Sequence, residues 1–160
     1  MTTNQHAILF LCTGNSARSL MAEAIANQEF ADQFHACSAG SHPAAEPHPL
    51  TLETLSNNGV SAEGLRPKGV EELAGQPLDL LITLCDEARG GCATFSGVPA
   101  VHWRLPDPPG ADDPKAMFTA VYEALVEAIG VLAHGPDSDL GGRAAEAARQ
   151  LSRCLAPHAI

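Results

Sequence analysis

Cys12, Arg18 and Ser19 are the residues whose types and spacing point first to chemistry. Five residues, Thr13-Gly14-Asn15-Ser16-Ala17, separate the thiol from the guanidinium, and the apolar run Ile8-Leu9-Phe10-Leu11 leads into them. The helical stretch Leu20-Met21-Ala22-Glu23-Ala24-Ile25 follows at once. Strand, tight loop and helix start, in that order, let the amides from Thr13 to Arg18 curl around an empty centre. Gly14 and Asn15 are expected to take the positive φ that such a curl demands. Converging N–H groups at a helix N-terminus bind an anion, and Arg18 adds a planar, two-pronged cation. The oxyanion-binding set is therefore Thr13, Gly14, Asn15, Ser16, Ala17 and Arg18. Cys12, at the base of the ring, is expected as a thiolate, because donors that hold an oxyanion also hold a negative sulfur. Ser19 can donate its hydroxyl to that sulfur. This chemistry is a thiolate facing a tetrahedral oxyanion, and it does not say which oxyanion.

The elements that must position these residues read as alternating strands and helices. Residues 6–11 form an apolar run after the first, as in a strand buried on both faces of a parallel sheet. From residue 18 to about 30, Met21, Ala24 and Ile25 keep helical spacing. A second strand covers 34–39 and stops at Gly40. The loop 41–49 carries Pro43, Pro47 and Pro49 at the same end of the sheet and is expected to form a wall of the site. Pro49 starts a helix ended by Asn58-Gly59, and residues 70–74 suggest a short helix. A buried strand over 79–84 delivers Cys85, and a last strand within 98–105 delivers Asp107. Asp113-Pro114 then caps a long helix in which Phe118, Val121, Tyr122, Leu125, Ile129 and Leu132 keep the 3–4 period. The pattern implies an α/β fold, a doubly wound four-stranded parallel sheet flanked by helices, with ligands at the carboxyl ends of the strands. Cys12, Cys85 and Asp107 all fall at such ends. Residues 1–135 form the main domain, and 136–160 an appendix with an alanine-rich, weak helix from 142 to about 155.

At 160 residues the chain can bury a real core, and 45% apolar with 18% charged residues is globular composition. Nine Lys and Arg against nineteen Asp and Glu, with no basic cluster, argue against a nucleic-acid or membrane partner. The N-terminus lacks a signal pattern and no run approaches transmembrane length, so a cytoplasmic place is expected. Five cysteines in such a chain suit reduced thiols, a redox pair or a nucleophile better than a disulfide framework.

Cys12-Thr13-Gly14-Asn15-Ser16-Ala17-Arg18-Ser19 matches the oxyanion loop of cysteine phosphatases. Together with Ser38-Ala39-Gly40, Leu84-Cys85-Asp86 and His102-Trp103-Arg104-Leu105-Pro106-Asp107-Pro108, it resembles the thiol-dependent arsenate reductases of the low-molecular-weight tyrosine phosphatase fold. The resemblance runs from about residue 6 to 134. It implies that Cys12 is the nucleophile, Arg18 the oxyanion ligand and Asp107 the general acid. It further implies a relay in which Cys12 takes up arsenate, Cys85 attacks Cys12 and releases arsenite, and Cys92 attacks Cys85. The resulting disulfide would be reduced by an external thiol, thioredoxin or glutaredoxin, with no bound cofactor. Gly90-Gly91, between the two later cysteines, could permit the movement this requires.

Several features bear on the alternatives. Some relatives hold a potassium ion beneath the loop through an asparagine, a glutamate, a serine and an aspartate. Asn15, Glu23 and Ser38 match the first three, whereas the fourth falls near Lys68, whose ammonium could replace the ion, so no metal is expected. His42 and His48 lack the further ligands of a metal site. Cys37 is expected to be packed in its strand, and Cys154 has no evident partner. A tyrosine phosphatase of the same fold is the main rival, yet Asp107-Pro108 is followed by Pro109-Gly110 rather than tyrosines. A non-catalytic oxyanion-binding module is a further alternative that the set of thiolate, arginine and acid disfavours.

Overall fold

A computed structural model describes residues 5–84, 95, 97–135 and 139–154. Four parallel strands, β1 (His6–Cys12), β2 (Phe34–Gly40), β3 (Leu80–Thr83) and β4 (Ala100–His102), form one sheet in the order β2-β1-β3-β4. The chain moves outward from β1 to β2 and then returns to the other side of β1 for β3. The switch point therefore lies between β1 and β3, where doubly wound sheets bind ligands. Ile8, Leu9, Phe10 and Leu11 are all fully buried, which explains why β1 is an unbroken apolar run at the centre of the sheet.

Among the described residues four α-helices flank the sheet: α1 (Arg18–Glu29), α2 (Pro49–Asn57), α3 (Pro114–His134) and α4 (Leu140–Cys154). Short 3₁₀ turns lie at Val70–Leu73 and Pro108–Gly110. Pro49 and Pro114 begin α2 and α3, where a missing N–H costs nothing. Asp113 caps α3 by accepting the N–H of Ala116 at 3.2 Å. Phe118, Val121, Tyr122, Leu125, Ile129 and Leu132 are buried, as the period of α3 requires. By length and composition α3 could cross a bilayer, which corrects the expectation that no run approaches that length. Its apolar face is instead buried in the core.

Helix α4 begins two residues before the start expected from sequence and is packed. Ala144, Ala147 and Leu151 join the same core as the sheet, and Arg143 Nε donates to Leu132 O of α3 at 2.7 Å. Register puts Cys12 beside Gly40, Leu11 beside Thr83, and Thr83 beside His102, so the carboxyl ends of the strands are level. Leu84, the residue before Cys85, donates its N–H to Leu11 O, the carbonyl before Cys12, at 2.8 Å.

Candidate active site

Cys12 ends β1 and α1 starts at Arg18, so the intervening loop spans the gap between a buried strand and a helix N-terminus. Ala17, at the N-cap, offers no side-chain cap, which leaves the first-turn amides of α1 to other acceptors. The loop's carbonyls are turned outward and occupied. Cys12 O accepts from Ser41 N, Thr13 O from His42 N, Gly14 O from Ala44 N, and Ser16 O from both His48 N and the Thr51 hydroxyl, at 2.7 to 3.1 Å. With those carbonyls tied, the opposite sides of the same peptide planes face inward.

The proline-bearing loop thus has a different job from the one expected. The described residues lining the cavity are Cys12 through Arg18, Arg104 through Asp107, and Pro109. Residues 41–48 brace the loop from behind, and His48 Nδ1 also caps α2 by accepting from Leu50 N at 3.0 Å. A second correction concerns backbone conformation. Asn15 has φ 51°, whereas Gly14 is not among the positive-φ residues. Gly40 is the glycine that the loop demands, since a Cβ there would lie 2.5 Å from Thr13 O and 3.0 Å from Asn15 N.

Asn15 is the hub of a buried polar network. Lys68 N can only donate, and it donates to Asn15 Oδ1 at 2.9 Å, which fixes the orientation of the amide. Asn15 Nδ2 therefore faces Ser19 and donates to its Oγ at 2.7 Å. The Ser19 hydroxyl also shares a hydrogen bond with Cys12 Sγ, 2.8 Å away, and its proton is the donor whenever that sulfur is a thiolate. Asn15 N adds a second donor to that sulfur at 3.2 Å. Asn15 and Ser19 are fully buried and Cys12 is nearly so, so this arrangement is shielded from water.

Arg18 reaches across the cavity. One Nη donates to Leu105 O at 3.1 Å and the other lies 3.6 Å from Asp107 Oδ1. The Asp107 side chain is 64% exposed, against 11% for Arg18. Arg104 also lines the cavity, a position the sequence reading did not single out. Its place on the segment leaving the carboxyl end of β4 was the available signal. Beneath the loop, Ser38 Oγ donates to Glu23 Oε1 at 2.6 Å, and Lys68 Nζ stands 3.7 Å from the same oxygen and 3.0 Å from Arg66 O. Cys37 lies nearby, half-buried; burial, with the Glu23 carboxylate adding to it, pushes its thiol up to about 11. Cys85 and Cys92 lie outside the described residues, as does the link 136–138.

All seven aromatic residues of the chain are spent elsewhere. Phe10, Phe34, Phe95, Phe118, Tyr122 and Trp103 are buried, and Phe30 packs against Phe34 and His134. None is among the described residues that line the cavity. Among the described residues no three His, Cys, Asp or Glu side chains cluster as a metal site would require.

A strand-to-helix loop with an inward thiol, inward amides and a closing arginine, at the switch point of a parallel sheet, defines a cysteine-phosphatase type of site. The chain belongs to the low molecular weight phosphotyrosine protein phosphatase family, whose model matches residues 7–141. Within it, the chain is 33% identical to an arsenate reductase of Halalkalibacterium halodurans over 79% of this chain and 91% of that one. It is 34% identical to an arsenate reductase of Bacillus cereus over 68% of this chain and 81% of that one. Among solved structures, the thioredoxin-dependent arsenate reductase of Corynebacterium glutamicum is 28% identical with a TM-score of 0.65, covering 81% of this chain and 63% of that one. A tyrosine phosphatase of Erwinia amylovora, 17% identical with a TM-score of 0.65 over 89% of this chain and 93% of that one, shares the fold.

Proposed function

We propose that the chain reduces arsenate to arsenite, with Cys12 as nucleophile and Cys12, Cys85 and Cys92 as a thiol–disulfide relay. The observation that carries this reading is the cavity wall. Its described residues bring amides, Arg18 and Arg104 but no aromatic ring, so it suits a small inorganic oxyanion better than an aryl phosphate. The arsenate reductases among its relatives support the same substrate, with phosphate as the competing oxyanion.

Cys12 Sγ attacks the arsenic, an As–O bond breaks, and Asp107 passes its proton to the departing oxygen, which leaves as water. The loop amides and Arg18 hold the remaining oxygens throughout. Cys85 then attacks Cys12 Sγ. The S–S bond forms as the S–As bond breaks, and that electron pair stays on arsenic, which is released as arsenite. Cys92 attacks Cys85, freeing Cys12 and leaving a disulfide between Cys85 and Cys92. An external dithiol, thioredoxin or glutaredoxin, donates the two electrons that restore both thiols, and a cytoplasmic setting keeps such donors reduced. The bond from Leu84 N to Leu11 O supports the first exchange, because each of these residues directly precedes one of the two cysteines in sequence.

The network under the loop needs no resident metal in this reading. The Lys68 ammonium beside Glu23 supplies the positive charge that a cation would bring. Replacing potassium by choline at constant ionic strength should change turnover less than about twofold; a larger potassium dependence would overturn this role for Lys68.

Arsenate-dependent NADPH oxidation, coupled through thioredoxin and its reductase, tests the whole scheme. Wild type should turn over, Cys12→Ser and Cys85→Ser should not, and Cys92→Ser should stall after one round. Multiple turnover by Cys92→Ser at the wild-type rate would eliminate the three-thiol relay. Rapid aryl-phosphate hydrolysis without arsenate reduction would establish the phosphatase reading, with which the shared loop is equally compatible.

A further inference from the structure

Asp107 stands at the start of a 3₁₀ turn, where its carbonyl accepts the Gly110 N–H at 3.2 Å and the next residue, Pro108, is buried. It follows β4, an edge strand of three residues, and stands among Pro106, Pro108 and Pro109, which have no N–H to donate. The last ladder-like bonds before it are Trp103 N to Thr83 O at 2.7 Å and Leu105 N to Leu84 O at 3.2 Å. Its carboxylate is largely exposed and reaches only Arg18, at 3.6 Å, among the described contacts.

Upstream, Trp103 is fully buried, with its ring centroid 6.1 Å from that of Phe10, two residues before Cys12. The indole N–H donates to Ala144 O of α4 at 2.9 Å, a buried bond between groups 41 positions apart. Helix α4 is itself seated by the burial of Ala144, Ala147 and Leu151 and by the bond from Arg143 to α3. A continuous path thus runs from α3 through α4 to the indole, and from the indole to Leu105, whose carbonyl holds Arg18, and on to Asp107. All but the first two residues of α4 lie beyond residue 141, where the family match ends.

We propose that α4 is a strut that sets the 103–107 segment over the oxyanion loop, and that Trp103 is the positioning residue through which it acts on Asp107. The proposal rests on the reading of Asp107 as proton donor. A rigid arm presents the carboxyl to the departing oxygen at each encounter. An arm cut loose from α4 samples other positions, so kcat falls while oxyanion binding by the loop amides persists.

The test is a double-mutant cycle in the full-length protein, read as kcat and KM for arsenate reduction and for p-nitrophenyl phosphate hydrolysis. Trp103→Phe removes the N–H donor and keeps a ring, and Leu151→Ala loosens the seat of α4 without touching the site. Melting curves keep every assay well below unfolding. Trp103→Phe should lower kcat about tenfold with KM within about twofold, and Leu151→Ala about threefold. In an Asp107→Asn background either change should cost less than about twofold, because coupled residues are not additive. The same fractional loss with and without Asp107 would overturn the proposal and leave Trp103 a purely structural residue, as would wild-type kcat in both single variants. If Trp103→Phe does not fold, Leu151→Ala decides the cycle alone. Loss of arsenate turnover in the wild type with hydrolysis retained would remove the reductase reading, and the cycle on hydrolysis would still decide the role of α4.

Discussion

The 12–18 loop and the 104–107 arm face the same cavity but are supported in unlike ways. The loop is tied from within. Its carbonyls are taken by the chain behind it, Asn15 and Ser19 are fully buried, and a chain of hydrogen bonds runs from Lys68 N through Asn15 and Ser19 to Cys12. The arm has three prolines around Asp107, an exposed carboxylate, and anchors upstream at Leu105 and Trp103 and downstream at the buried Pro108. Binding an oxyanion needs donors that are already in place, because reorganisation during the reaction costs rate. Delivering a proton to a departing oxygen requires access to solvent for reprotonation between turnovers. The unlike support of the two halves suits the two roles proposed for them.

Substitutions can break the comparison, and the largest effect should come where the halves meet. Arg18 closes the ring of amides and also carries the arm through Leu105 O and Asp107. Arg18→Lys keeps the charge but loses the planar fork, and kcat/KM for arsenate should fall on the order of 100-fold or more. Asp107→Asn damages the arm alone: kcat should drop about 100-fold while phosphate inhibition, measured as Ki, stays within about threefold. A matching loss of phosphate affinity would mean that arm and loop are not separable. Ser19→Ala damages the loop alone, removing a buried donor to sulfur, and should slow both arsenate turnover and iodoacetamide alkylation of Cys12 by about tenfold.

The smallest effect is a control on the buried side. Burial raises the Cys37 thiol to about 11, above its ordinary 9.0. The folded state therefore keeps a proton that the unfolded chain releases first. The associated stability is complete below pH 9 and disappears as pH rises through about 11. Urea titrations between those values should show a declining midpoint, and Cys37→Ala should flatten the decline. An unchanged slope would place the alkaline sensitivity elsewhere.

Much of this architecture could be read from residue pattern, and the reasons for the remainder are physical. Strand β1 and helix α3 stood out because continuous burial and a 3–4 period leave strong marks, and the thiol and arginine stood out because the strand and helix around them fixed the loop's length. The loop's inner conformation was less legible. Gly14 is permissive, yet the positive φ falls on Asn15, whose side chain is captured by Lys68 from a distant segment. The role of residues 41–48 was hidden because their backbone N–H groups do the bracing, and prolines around them suggested a wall instead. Helix α4 reads as weak because it buries two alanines and one leucine, so its attachment depends on a close approach to α3 and on an indole contributed by β4's continuation.

The chain contains a single tryptophan, and it is the one whose indole N–H bonds to Ala144 O. With excitation at the red edge of indole absorption, beyond that of the one tyrosine, its fluorescence therefore comes from the junction between the last helix and the segment carrying Asp107. A fully buried indole that becomes wet shifts its emission to the red, so loosening of that junction by denaturant, heat or substitution registers optically without any label. The protein carries its own gauge of whether the strut is seated.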